Sequence, residues 1–244
     1  MKTKIPNRWD VTPREAVQMQ QSLRERVETQ DRFGSVQYVA GADLAFDPET
    51  DWAVAGVIVY SFPQLVEVER RKARRKLRFP YVPGLLSFRE CPVLLAAFAL
   101  LRTSPDLILV DGHGLAHPRR FGIACHLGLL LDCPTIGCGK SILVGEAEEP
   151  GIQAGSTAPL IDRGEEVGMV LRTRTQVNPI YVTVGHRISL PSAVRIVAKC
   201  VDGFRIPKPT READHWVRDL RRAYQAERTR ESAGDSSLPG GRGE

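Results

Sequence analysis

Tyr38–Phe46 reads YVAGADLAF, a stretch nearly free of polar side chains except for Asp43 in its middle. Working outward, Trp52–Phe62 and Gln64–Lys72 are also rich in strand-forming residues. Asp47-Pro48-Glu49-Thr50-Asp51 and Pro63 break the three runs, so the pattern predicts three antiparallel neighbours. The third run passes from Leu65, Val66 and Val68 into a basic series ending at Arg78. Further on, Asp106–Asp111 (DLILVD) has the short, unbroken apolar character of a strand buried on both faces. Short strands are also expected around Thr135–Cys138, Val167–Leu171 and Ile180–Val184. Thr12-Pro13-Arg14-Glu15 signals a helix start, with Thr12 and Glu15 forming a capping box. Ala16, Met19, Leu23 and Val27 then share one helical face through about Glu28. Helices are predicted over Ser87–Leu101, Pro118–Leu131, Ser192–Lys199 and Thr210–Arg228. The sum is an α/β chain, a mixed sheet with helices on its faces. One domain over 1–228 is expected, with a disordered tail over 229–244 where Gly, Ser, Arg and Glu take over.

Composition narrows the function classes. Hydrophobic residues make up 42% of the 244, enough for a sizeable core and too many for a disordered chain. The net charge of +5 permits a polyanionic partner without requiring one. Five cysteines, an odd number, lie at 91, 125, 133, 138 and 200 with no CxxC or Cys/His zinc spacing. A reducing, cytoplasmic setting is the expectation. No apolar signal core opens the sequence, and no hydrophobic run is long enough to span a bilayer, so no membrane partner is expected.

The acids carry the chemistry. Asp43 is costly to bury in a central strand unless it is paired or binds a cation; the alternative is a loop position after a shorter strand. Asp111 ends an apolar strand and precedes Gly-His-Gly, where ligands of α/β sheets are bound, though Asp before Gly also caps turns. Two such acids offer hard oxygen ligands, suited to magnesium or manganese rather than zinc. Glu90 has two compatible readings. Ser87-Phe88-Arg89-Glu90 has capping-box spacing, and a first-turn glutamate can also face a metal. Asp214 opens the last helix, where any protein favours an acid for the helix dipole.

Together these segments resemble the endonuclease V family. The resemblance rests on GADLAF around Asp43, PYVPGLLSFRE over Pro80–Glu90, DGHGLAHPRRFGIACHLG over Asp111–Gly128, GCGKSILVG over Gly137–Gly145 and PTREAD over Pro209–Asp214. It implies a ribonuclease H-like fold with a mixed five-stranded sheet flanked by helices. It also implies a DNA repair endonuclease that cuts on the 3′ side of deaminated purines such as hypoxanthine, leaving 3′-hydroxyl and 5′-phosphate ends. By resemblance, Asp43, Glu90 and Asp111 surround Mg2+, for which Mn2+ substitutes, and Asp214 joins from the late helix. Some relatives carry histidine at the position matching Asp214. A bound divalent ion supplies Lewis acidity for phosphodiester hydrolysis. Lys140 matches the family lysine near the reacting phosphate; the alternative is a solvated loop residue. His117 either contacts the cleavage region or braces its loop.

Tyr81 sits in Pro80-Tyr81-Val82-Pro83-Gly84, where two prolines stiffen a short loop. A ring presented in this way can wedge between bases while the damaged base swings out; the alternative is a tyrosine packed on the body. The resemblance lines the base pocket with Gly84, Leu86, Gly112, Gly114, Ile123 and Gly128. The run Arg70–Arg78 and the pair Arg119-Arg120 read either as phosphate contacts or as a solvated face. DNA containing deaminated bases is the expected partner of a monomer, with inosine-containing RNA open as a second substrate. Two competitors remain at this level: a nucleic-acid binder with an inactive metal site, and another ribonuclease H-like enzyme such as a transposase or resolvase.

Overall fold

The computed structural model describes residues 1–235. Its strands are β1 (Tyr38–Phe46), β2 (Trp52–Ser61), β3 (Glu67–Lys76), β4 (Leu107–Val110), β5 (Thr135–Gly139), β6 (Thr157–Asp162), β7 (Glu165–Leu171) and β8 (Ile180–His186). The helices are α1 (Pro13–Arg24), α2 (Leu86–Phe98), α3 (Ile123–Leu131), α4 (Leu190–Lys199) and α5 (Lys208–Asp235). All eight strands form one sheet in the order β3-β2-β1-β4-β5-β8-β7-β6. Within it β1, β2 and β3 are antiparallel neighbours, as their sequences predict, and β4 and β5 run parallel to β1.

Those five strands are the ribonuclease H-like set. The expectation of a five-stranded sheet is nevertheless corrected to eight, because β8, β7 and β6 continue it antiparallel beyond β5. β6 has no counterpart in the sequence reading. It contains Pro159, which argues against a strand in general but is tolerated on the sheet edge, where β6 lies.

Side-chain alternation divides the core in two. Ala40, Ala42, Val57, Val59, Ile108 and Val110 pack against α2 and α3 through Leu94, Phe98, Leu127 and Leu130. From the opposite face Val39, Ile58, Leu107, Leu109 and Val182 meet Val197 of α4 and Trp216 of α5. Gly41 allows α5 to start directly on this face: a Cβ there would lie 1.9 Å from the Pro209 carbonyl oxygen. That close approach brings the beginning of α5, and Asp214 with it, onto the face that also carries Asp43.

Several boundaries move. The capping box on α1 is present, but the helix stops at Arg24 rather than Glu28. α2 begins at Leu86 with Leu85 in the cap position and no side-chain cap, so Ser87 and Glu90 do not form a capping box. The Ser87 hydroxyl instead meets His126 Nδ1 at 2.9 Å. α3 starts at Ile123, five residues after Pro118, because the chain first turns through Arg120 at φ 54°. α5 extends to Asp235, so 229–235 of the expected tail are helical, and 236–244 lie outside the described residues. Among the described residues no helix is long and apolar enough to cross a membrane.

Candidate active site

Parallel pairing aligns Ala42 with Val110, so the next residues, Asp43 inside β1 and Asp111 just past the end of β4, emerge side by side on two central strands. Asp214 approaches from the second turn of α5. One carboxylate oxygen from each of Asp43, Asp111 and Asp214 lies within 4.8 Å of the others. Burial, then the negative charge of Asp111, pushes the Asp43 carboxyl up to about 8, and Asp214 adds to the effect against a 2.7 Å hydrogen bond from the Leu44 N–H. Glu90 on α2 stands outside this trio, yet burial and then the charge of Asp111 raise it to about 8 as well. Lys140, one residue past β5, donates to Asp111 Oδ2. Burial lowers its pKa, but the bond to Asp111 and the charges of Asp111, Asp214 and Asp43 outweigh that and raise it. Arg218 pairs with Asp214 at 3.0 Å. Three closely spaced carboxylates, one of them buried and held protonated beside its neighbours, fit a hard divalent cation, which would offset their mutual repulsion.

Next to the acids is a cavity of about 270 Å³. Tyr81, Gly84, Leu86, Gly112, His117 and Ile123 line it, as do Ile142 and Leu143. Tyr81 is 71% exposed, so it is not packed on the body. Gly112 has φ 142°, and a Cβ there would come within 2.8 Å of Ile123 Cγ2, closing the cavity floor. Gly114 and Gly128 are placed elsewhere. Gly114 packs against the Val184 carbonyl of β8, and Gly128 lets α3 lie against Thr135 and His186.

The family follows from comparison. The endonuclease V family model matches residues 21–215. The chain belongs to the endonuclease V family. Endonuclease V of Nostoc sp. (strain PCC 7120) is 51% identical over 210 residues, covering 86% of this chain and 95% of its own. The crystal structure of endonuclease V from Streptomyces avermitilis superposes with a TM-score of 0.86 at 41% identity, over 92% of this chain and all of that one. Ciona intestinalis endonuclease V, solved in complex with a 23mer DNA containing an inosine followed by a ribo-adenosine, gives 0.79 at 29% identity over 88% of this chain and all of that one. Endonuclease V enzymes are metal-dependent nucleases, in keeping with the acidic trio.

On this endonuclease V scaffold the structure shows how three basic features are held. His117 Nε2 lies 3.0 Å from the Gly84 carbonyl and its Nδ1 accepts from the Arg119 N–H at 3.1 Å. Burial, then the charge of Arg119, lowers its pKa to about 4, so a neutral His117 with both nitrogens engaged braces the loop. Arg120 is buried in ion pairs with Asp162 (2.7 Å) and Glu165 (3.0 Å), and Arg119 bonds Gln20 and the Gly84 carbonyl, so this pair does not form an open phosphate contact. In β3 the alternation splits the basic run. Arg70, Lys72 and Arg74 lie over Trp216, Tyr224 and Trp52, and Arg74 also joins Arg75, Lys76, Arg78 and the α2 residue Arg89 in lining a groove of about 590 Å³. Gln20 was not legible as a site residue, since one polar side chain on an amphipathic helix gives no signal.

Proposed function

We propose that this enzyme hydrolyses the phosphodiester on the 3′ side of a deaminated purine, hypoxanthine above all, in a strand bound across Tyr81 and the acidic trio. One observation carries the reading: the acid site and the cavity are built from adjacent residues. Asp111 and Lys140 serve the first, and the next residues in sequence, Gly112 and Ser141, line the second. A base held in the cavity therefore sets the register of the phosphate beside it.

Asp43, Asp111 and Asp214 would hold Mg2+ or Mn2+, with Glu90 adding a carboxylate from the Asp111 side. The cation supplies Lewis acidity toward the phosphate when bound. Lys140, kept protonated at neutral pH, offsets charge on the phosphate oxygens. The exposed Tyr81 ring fills the space that the flipped base leaves in the stack. In the cavity, Gly84 and Gly112 let backbone groups approach the base edge, where hypoxanthine differs from adenine by its carbonyl oxygen and ring N–H. Inosine-containing DNA bound by the Ciona relative supports this substrate class. Matched DNA and RNA oligonucleotides, each carrying one inosine, test the proposal in magnesium and in EDTA. Cutting 3′ to the inosine in magnesium alone is expected. Equal cutting of undamaged strands, or cutting in EDTA, overturns it.

A further inference from the structure

Gln20 is 1% exposed on α1, a helix that supplies none of the acids and no part of the wedge loop. Its amide is nevertheless committed in three directions. Nε2 donates to the Gly84 carbonyl at 3.0 Å and to the Phe121 carbonyl at 3.2 Å, and Oε1 accepts from Arg119 Nε. Arg119 Nη2 reaches the same Gly84 oxygen at 2.6 Å, and His117 Nε2 reaches it at 3.0 Å. Three donors therefore converge on one carbonyl, which has two lone pairs. Gly84 has φ 76° and closes the Pro80–Gly84 loop, so its carbonyl is where the loop is tied to the body of the protein. The prolines fix the internal shape of the loop but not where it points. Val82 seats one side of the loop against Phe79, Leu85 and Phe88, and the tether at Gly84 fixes its other end.

We propose that Gln20 and Arg119 are positioning residues for lesion recognition, aiming the Tyr81 ring by clamping the Gly84 carbonyl. The inference rests on the wedge reading of Tyr81 given above. It makes α1, remote in sequence from every acid, part of the specificity apparatus. The competing account is that Gln20 only anchors α1, and it predicts a loss that does not depend on Tyr81.

A double-mutant cycle separates the two. Gln20→Leu and Arg119→Gln are each made in the parent and in the Tyr81→Ala background. Binding of an inosine oligonucleotide is read in calcium, single-turnover cleavage at saturating enzyme in magnesium, and melting temperature for folding. In the parent, Gln20→Leu should weaken inosine binding roughly three- to tenfold, the range of coupled neighbours, with cleavage at saturation much less affected. In the Tyr81→Ala background the same change should cost less than about twofold. Arg119→Gln should behave in the same way, and it decides the matter if Gln20→Leu does not fold. Equal losses in both backgrounds, no loss in either, or a defect confined to the saturated cleavage rate overturns the inference. If Tyr81→Ala alone binds inosine like the parent, the wedge reading and this inference fall together. If Tyr81→Ala loses binding and the clamp variants do not, only this inference falls.

Discussion

Asp43 shows how a single residue links metal, protonation and folding. In the unfolded chain its carboxyl titrates near 3.9, while in the folded, metal-free protein burial and Asp111 hold it at about 8. A raised folded pKa gives a contribution to stability that is full below the unfolded value and lost as pH rises through the folded one. Metal-free protein should therefore become less stable from about pH 4 toward pH 8 at this site. Asp43→Asn removes the ionisation, so it should raise the melting temperature in EDTA at pH 8 while abolishing magnesium-dependent cutting. An unchanged or lower melting temperature in EDTA would contradict the electrostatic account, and retained cutting would remove Asp43 from the mechanism. Tyr81 gives the complementary result. Tyr81→Ala should weaken inosine binding by roughly 5- to 150-fold, the equivalent of about 1–3 kcal/mol of stacking, with the acidic trio intact. A variant that binds and discriminates normally but cannot cleave at saturation would place Tyr81 in the chemical step. Asp43 and Asp111 stood out in the sequence as the acids least explained by local structure, although a loop position for Asp43 and a turn cap for Asp111 stayed open until the strands were placed. Glu90 was ambiguous because its cap spacing was satisfied on paper, and only the turn at Leu85 shows that the helix begins too early for that cap.

Among the elements, β1 and β4 were readable because each is an apolar run, interrupted only by Asp43 in β1 and unbroken in β4, the mark of a strand packed on both faces. β6 was not, because Pro159 is informative only once the strand is known to lie on an edge. The placement of α5 was also hidden. It depends on Gly41, whose missing side chain looks like a weak strand position in sequence but is an opening for the Pro209 backbone in three dimensions. Adding one methyl there should push the start of α5 off the sheet, since backbone cannot yield as a flexible side chain can. Gly41→Ala is expected to destabilise the protein by about 1–3 kcal/mol, the usual cost of overpacking, and to reduce cutting more than inosine binding, because Asp214 moves and the Tyr81 cavity does not. Thermal melting and single-turnover rates check both parts; normal cleavage in a destabilised Gly41→Ala protein would show that Asp214 tolerates the displacement.

For the whole molecule, net charge says less than how the cations are committed. The chain carries +5, yet Arg70, Lys72 and Arg74 are engaged with aromatic rings, and Arg120 with two acids. Arg75, Lys76 and Arg78, beside Arg74, line a groove with Leu77, Phe79 and Val93 also in its wall, and Lys76 reaches Asp51 at 4.0 Å. Phe79 lines this groove and Tyr81 follows two residues later, so a strand lying in the groove would lead toward the wedge. Neutralised phosphates release counterions, and the log–log dependence of affinity on salt measures how many are released, about 0.7 to 0.9 of slope per contact. Replacing Arg75, Lys76 and Arg78 together by alanine should therefore flatten that slope by roughly 2 to 3 for an inosine oligonucleotide, and equally for an undamaged one, since the contacts carry no sequence information. Arg120→Ala, which removes an internally paired cation, should lower the melting temperature and leave the slope of the remaining folded protein where it was. A triple variant with the parent's slope would exclude the groove as the path of the nucleic-acid backbone; a triple variant that lost affinity for inosine strands alone would show that the groove reads the lesion rather than the phosphates.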